Sequence, residues 1–294
     1  MSTRERVLGV DRRRLLGREV PLPPRGVRWA ISVIGFLVFW WAAVQFGFLN
    51  FGLFVSPIAT LTALVGYLAG EPVAGGTQSI YVHAAYSTYR VVAGVGLAAL
   101  TAIPLGLVIG ISAKAGAGID WDSYLYPGLE SLRPIPPVAW VPASILLFPI
   151  VPVLGFSVNT AVLFVVFIGA FFPILVNTVE GVRNLDDEFR RAAQSLGASN
   201  RQVFRHVIFP AALPSILTGL SLGIGLGWIT VVAAEIIAGN YGLGYITYQA
   251  YRLLATDVIA VGMVVIGTLG YASSAFVARL ADYATPWSDI ETTG

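Results

Sequence analysis

Six apolar runs, each close to the ~20 residues that an α-helix needs to cross a hydrocarbon core, divide this 294-residue chain. They lie at about 29–48, 85–111, 124–148, 159–182, 213–238 and 257–280. In lipid every backbone amide must find its partner inside the segment or in a closed sheet, so such runs read as helices. The expected fold is an all-α polytopic membrane protein with about six transmembrane helices. Composition agrees, with 56% hydrophobic and 12% charged residues, against roughly 25% charged in soluble domains. The runs leave room for one transmembrane domain, 29–282, between an N-terminal arm, 1–28, and a tail, 283–294.

The arm is basic: Arg4, Arg6, Arg12, Arg13, Arg14, Arg18, Arg25 and Arg28 all precede the first run. A nucleic-acid arm is one reading. The positive-inside rule accounts for the same arginines without a ligand and places the N-terminus in the cytoplasm. The run from Trp29 to Phe48 is long for a signal-peptide core and lacks a clean small-residue cleavage site, so it reads as an uncleaved span. With the N-terminus inside, Lys114, Arg183, Arg190, Arg191, Arg201, Arg205 and Arg279 also fall inside. Only Arg90, Arg133 and Arg252 lie in spans or on the far side. Both termini are then cytoplasmic.

Individual spans carry further expectations. Pro104 should bend the second, where Gly106 and Gly110 leave room for a neighbouring backbone, and Gly219, Gly223 and Gly227 give the fifth a close-packing face. The third contains Pro127, Pro134, Pro136, Pro137 and Pro142. Each proline removes an amide donor, so this span should be broken and enclosed by protein.

One long polar stretch interrupts the later runs, Asn184 to Pro210. Asn184 can cap a first short helix with Asp186, Asp187 and Glu188 in its first turn, where carboxylates oppose the helix dipole. Gly197 suits a left-handed stop. Ser199 and Gln202 read as a capping box for a second short helix, which Pro210 limits. Phe189, Ala192, Ala193 and Leu196 share one apolar face of the first helix. That face either lies in a partner's groove or rests on its own protein or on lipid headgroups.

Charged groups within spans are expensive and therefore candidates for a solute path: Arg90, Arg133 and Glu235. The structural alternative is a salt bridge, with Glu235 pairing one of the arginines. Glu130 and Glu180 read as solvated span ends, and His83 and His206 as interfacial packing. The chain has no cysteine and two histidines, so thiolate chemistry is excluded and a histidine metal site is disfavoured. Its only lysine, Lys114, follows Ala113 rather than a glycine, so no phosphate-binding Gly-x-x-x-x-Gly-Lys-Ser/Thr loop is present. Any ATP-driven process would need a partner chain. No residue arrangement suggests an enzyme.

The stretch 184–210 resembles the loop signature of ABC importer permeases: Glu-Ala-Ala, three residues, Gly, nine residues, Ile, one residue, Leu-Pro. Ala192, Ala193 and Gly197 match in spacing, and Val207, Ile208, Phe209 and Pro210 match the ending with apolar replacements. Arg191 stands where the family usually has Glu. Arg133 to Pro142, Ala233-Ala234-Glu235 and Gly242-Leu243-Gly244 resemble the branch handling nitrate, sulfonates, taurine and bicarbonate. The resemblance runs over about Ser56 to Leu280.

It implies the type I permease fold in a cell (inner) membrane, a homodimer of permeases, two ABC ATPase subunits and an external substrate-binding protein. ATP and Mg would be held by the ATPase, with no cofactor on this chain. The resemblance puts ATPase docking on the coupling loop, at Asp187, Glu188, Arg191, Ala192, Ala193, Leu196, Gly197 and Pro210. The solute would be a small oxyanion or organic sulfonate. A secondary transporter or channel that works without an ATPase is the competing reading; an ion-gradient-driven uptake by this chain alone would identify it.

Overall fold

The computed structural model describes residues 12–15, 18–21, 24–48, 50–73, 78–115, 120–153 and 156–287. Its contacts divide the chain into two units, Met1–Gly66 and Tyr67–Gly294. In the first, β1 (Arg12–Leu15) pairs antiparallel with β2 (Arg18–Pro21), followed by α1 (Arg25–Gln45) and the start of α2 (Pro57–Leu68). The rest of the basic arm lies outside the described residues. The Trp40 indole N–H donates to Val55 O at 3.1 Å and folds the chain after α1 back on that helix.

The second unit is built around α6 (Thr160–Arg183), which lies between α3 (Ile80–Ala115) and α9 (Phe209–Ala238). Asn159 starts α6 by accepting the Val162 N–H on its side chain at 3.3 Å. Val162, Val165, Val166, Ile174 and Val179 of α6 are completely buried.

Glycines set the spacing. A Cβ on Gly106 of α3 would come within 2.8 Å of Thr178, and one on Gly110 within 2.7 Å of Val182. On α9, Gly219 faces Asn177, where an added Cβ would come within 2.8 Å, while Gly223 faces Ile174 and Gly227 faces Val95 at 3.1 and 3.0 Å, tight contacts for a Cβ. Without a hydrophobic drive between helices in lipid, this close van der Waals packing is what holds them together. The last helix, α11 (Thr256–Ala284), is fastened to α9 by the Trp228 indole N–H donating to Ser273 Oγ at 2.9 Å.

Among the described residues five helices are long and apolar enough to cross a membrane: Gly26–Gln45, Ile80–Ala113, Thr160–Arg183, Asn200–Ala238 and Thr256–Ala284. The third apolar run is not among them. Its prolines divide it into α4 (Trp121–Leu132), a 3₁₀ turn at Pro137–Trp140 and α5 (Val141–Leu147). A hairpin, β3 (Ile150–Val153) with β4 (Phe156–Asn159), returns the chain to α6. The break agrees with the proline content. Enclosure does not follow within one chain, because no side chain of α4 is buried.

Candidate functional site

The elbow differs from its sequence reading at both ends. Asn184 closes α6 instead of opening the next helix, with its N–H donating to Glu180 O at 2.9 Å. The cap of α7 (Asp187–Ser195) is Asp186, whose carboxylate accepts the Glu188 N–H at 2.9 Å. Asp186 has the extended backbone a cap requires, whereas Asn184 is still helical. Gly197 follows at φ +84, with Ala198 N–H donating to Ala193 O and Gly197 N–H to Gln194 O, the paired bonds of a Schellman stop. The Ser199–Gln202 capping box is complete and opens α8 (Asn200–Val203).

Pro210 does not limit that second helix. A π turn at Phe204–Ile208 links α8 to α9, and Phe209 N–H donates five residues back to Phe204 O. The wider turn relieves the clash between the proline ring and the carbonyl four residues earlier, so the helix runs from Asn200 to Ala238.

The elbow rests on a buried cluster of Leu107 from α3, Val182 from α6, and Val203, Ile208, Ala212 and Ile216 from the helix that follows. Leu185, Ala193 and Ala198 pack against it. This divides the apolar face of α7. Ala193 turns inward on the same side as Asp187 and Arg190, whose carboxylate and guanidinium approach to 3.7 Å. Phe189, Ala192 and Leu196 remain exposed, Leu196 at 90%. Of the candidate docking residues, Glu188, Arg191, Ala192, Leu196 and Gly197 are exposed, while Asp187, Ala193 and Pro210 are half-buried against their own chain. A load on α7 therefore reaches α3, α6 and α9 through one shared cluster.

At the other end of α9, Glu235 is fully buried. Arg90 Nη1 of α3 donates to Glu235 Oε1 at 2.7 Å and to Tyr241 O at 2.6 Å. Ser87 Oγ donates to the same carboxylate and accepts the Leu243 N–H at 2.8 Å. Gly244 N–H donates to Glu235 Oε2 at 3.0 Å, and Gly242 N–H donates to His83 Nδ1 at 3.1 Å.

Glu235 and Ser87 therefore cap α10 (Leu243–Leu253) from other helices, taking the Gly244 and Leu243 N–H groups of its first turn respectively. The bond from Gly242 requires a lone pair on His83 Nδ1, which places the ring proton of a neutral imidazole on Nε2. Only glycine fits the loop: Gly242 has φ +126, and a Cβ there would sit 2.2 Å from the Glu235 carboxyl carbon.

Arg90 and Glu235, read from sequence as solute-path candidates, thus satisfy each other. A guanidinium held by a carboxylate and a carbonyl has little charge left to offer a solute. Arg133 stands apart from this network, exposed just beyond α4. The sequence reading missed Ser87 and the hydrogen-bonding role of His83, because a serine and a histidine in an apolar run carry no periodic signal. It also missed the pairing of Arg183 with Asp122, which ties the end of α6 to the start of α4. The Arg183 guanidinium also lies over the Tyr126 ring, 4.5 Å from its centroid.

Residues 102–287 match the family described as binding-protein-dependent transport system inner membrane component. The chain belongs to that family. It is 42% identical over 196 residues to a protein of Methanocaldococcus jannaschii, covering 66% of this chain and 68% of that one. To the taurine transport system permease protein TauC of Escherichia coli it is 34% identical, over 85% of this chain and 86% of the relative. To the nitrate import permease protein NrtB of Leptolyngbya laminosa it is 33% identical, over 72% and 71%. A bicarbonate transport system permease of Synechococcus elongatus also matches.

Among solved structures, the inward-facing MetNI methionine ABC transporter superposes with a TM-score of 0.56 at 21% identity, covering 69% of this chain and 94% of that one. The fold is that of the type I importer permeases. The protein is the permease of an ABC importer, a transport subunit rather than an enzyme, in the branch that includes the taurine, nitrate and bicarbonate permeases.

Proposed function

We propose that this permease imports a small oxyanion or organic sulfonate and is driven through the 184–210 elbow by separate ATPase subunits that hold ATP and Mg. The observation carrying this reading is the build of α7. Its inner side is fixed on a cluster shared by three long helices, and its outer side, Phe189, Ala192 and Leu196, is left uncovered. An apolar ridge on a rigid seat is suited to receiving a partner's motion and passing it into the helices. Closure of two ATPases against two elbows would then switch a path between outward and inward access.

The solute class rests on relatives named for taurine, nitrate, bicarbonate and aliphatic sulfonates. In this reading two copies form the permease pair, an external binding protein delivers the solute, and the termini face the cytoplasm, in keeping with the arginine-rich arm. The test is reconstitution with the cognate ATPase and binding protein. Taurine, nitrate and bicarbonate are added separately while ATP hydrolysis and uptake are followed together. Stimulation of both by one of these solutes is the expected result; uptake by this chain without any ATPase would overturn the reading.

A further inference from the structure

We infer that the hydrogen bond from Gly242 N–H to His83 is an acid-sensitive latch: a proton on the imidazole releases the 239–244 loop from α3 and slows transport. The transport half rests on the importer reading above, whereas the latch rests on the geometry alone.

Consecutive residues from Tyr241 to Gly244 are held by side chains of α3 and α9. Arg90 Nη1 donates to Tyr241 O at 2.6 Å, Gly242 N–H to His83 Nδ1 at 3.1 Å, Leu243 N–H to Ser87 Oγ at 2.8 Å and Gly244 N–H to Glu235 Oε2 at 3.0 Å. His83 is 4% exposed. Its ring lies 6.1 Å from that of Tyr241 and 6.3 Å from that of Tyr245, within 19° of parallel to the latter. These rings hold the imidazole with Nδ1 toward the loop.

An imidazole accepts a hydrogen bond only while it is neutral, because both ring nitrogens of the imidazolium are donors. Protonated His83 would set its own N–H against that of Gly242 and add a second cation near Arg90. The closed loop therefore excludes the proton and the released loop takes it up. Of the neighbouring acids, Glu235 of α9 is already paired with Arg90, and Asp257 of α11 takes the Tyr67 hydroxyl at 2.8 Å. Tyr86 of α3 lies under the Arg90 guanidinium. The α6 helix, packed along α3, has no ionisable side chain from Thr160 to Val179. The α4 helix meets the far end of α3, where Ser112 Oγ accepts the Asp122 N–H at 3.1 Å. An imidazole released into water titrates near ~6.5. By linkage, the ratio of open to closed loop then rises about tenfold between pH 7.5 and 5.5.

In the assembled importer in nanodiscs, hydrogen exchange of the 242–246 amides is followed at pH 7.5 and 5.5 and corrected for the intrinsic pH dependence of exchange. Protection should fall about tenfold in the wild-type protein. In His83→Asn, whose side-chain oxygen stands near the place of Nδ1 and takes up no proton, it should change less than about twofold. In His83→Phe, which keeps a ring but has no acceptor, protection should be low at both pH values. Proteoliposomes with the ATPases and ATP enclosed then report taurine or nitrate uptake while the external pH alone is lowered. Uptake should fall in the wild type and hold in His83→Asn.

Protection independent of pH in the wild-type protein would overturn the inference. So would a pH response retained in His83→Asn, which would place the titration on Glu235. Should His83→Asn not assemble, equal protection in the wild type and His83→Phe at pH 7.5 would overturn it as well. Release of the loop in acid without any fall in uptake defeats the regulatory half. Absence of ATP-driven uptake at pH 7.5, with the pH-dependent protection intact, defeats the importer reading and leaves the latch standing.

Discussion

Arg90 Nη1 lies 2.7 Å from Glu235 Oε1, and both side chains are buried between α3 and α9. The pair is worth its desolvation because the remaining valences are also filled, by Ser87, Tyr241 O and Gly244 N–H. Removing one partner strands a charge. Arg90→Ala or Glu235→Ala should each cost about 3–5 kcal/mol, as breaking a buried pair does. The double replacement Arg90→Met with Glu235→Leu should recover part of that loss. Thermal unfolding in detergent checks the order; a double variant worse than both single variants would refute it.

Gly242 folds over the Glu235 carboxylate at φ +126. Gly242→Ala meets both the carboxylate and a disfavoured backbone region, and should cost about 1–3 kcal/mol. Gly225, within α9 and with nothing inside 4 Å of an added Cβ, is the control. Gly225→Ala should leave stability unchanged or slightly raised. Proteolysis at the 239–244 loop distinguishes the two variants.

The exposed ridge of α7 separates docking from folding. Leu196→Asp removes little buried area, since Leu196 is 90% exposed, and should shift stability by less than about 0.5 kcal/mol. It should nevertheless reduce recovery of the ATPase on co-purification at least tenfold, as loss of an interface anchor of about 1.4 kcal/mol or more does. Normal recovery would locate the docking surface elsewhere.

Gly197 tests the elbow's shape. Open space surrounds it, but its φ is +84, so Gly197→Val costs backbone strain of about 1–2 kcal/mol without a clash. The expected variant folds and binds the ATPase while transporting fewer solute molecules per ATP hydrolysed. Simultaneous measurement of uptake and phosphate release reads that ratio; an unchanged ratio would remove the elbow from the coupling path.

Ser199→Ala breaks the capping box at the start of α8 and should cost about 1 kcal/mol. Its effect on coupling should be smaller than that of Gly197→Val, because the π turn and the cluster beneath α8 remain. Amide hydrogen exchange across 199–208 provides the measurement.

The membrane-spanning character, the glycine faces, the broken third run, the first short elbow helix with its Gly197 stop and the Ser199 capping box were all legible in the amino-acid order. Each depends on neighbours along the chain: apolar run length, four-residue spacing, missing amide donors or a local cap. The displaced cap at Asp186 and the continuation through Pro210 were not legible, because backbone carbonyls and a wider π turn supplied alternatives that residue type does not encode. The two ends of α7 show the same division. Periodicity groups Phe189, Ala192, Ala193 and Leu196 on one apolar face, but only the cluster from α3, α6 and α9 decides that Ala193 turns inward.

Likewise, the sequence by itself placed Arg90, Arg133 and Glu235 within apolar runs, where charge is costly. Tertiary structure alone decided that the first and last neutralise each other while, among the described residues, Arg133 is exposed and has no ion-pair partner. The reason is distance: Arg90 and Glu235 are 145 residues apart in the chain, so their pairing depends on how α3 and α9 pack, and no local pattern records it.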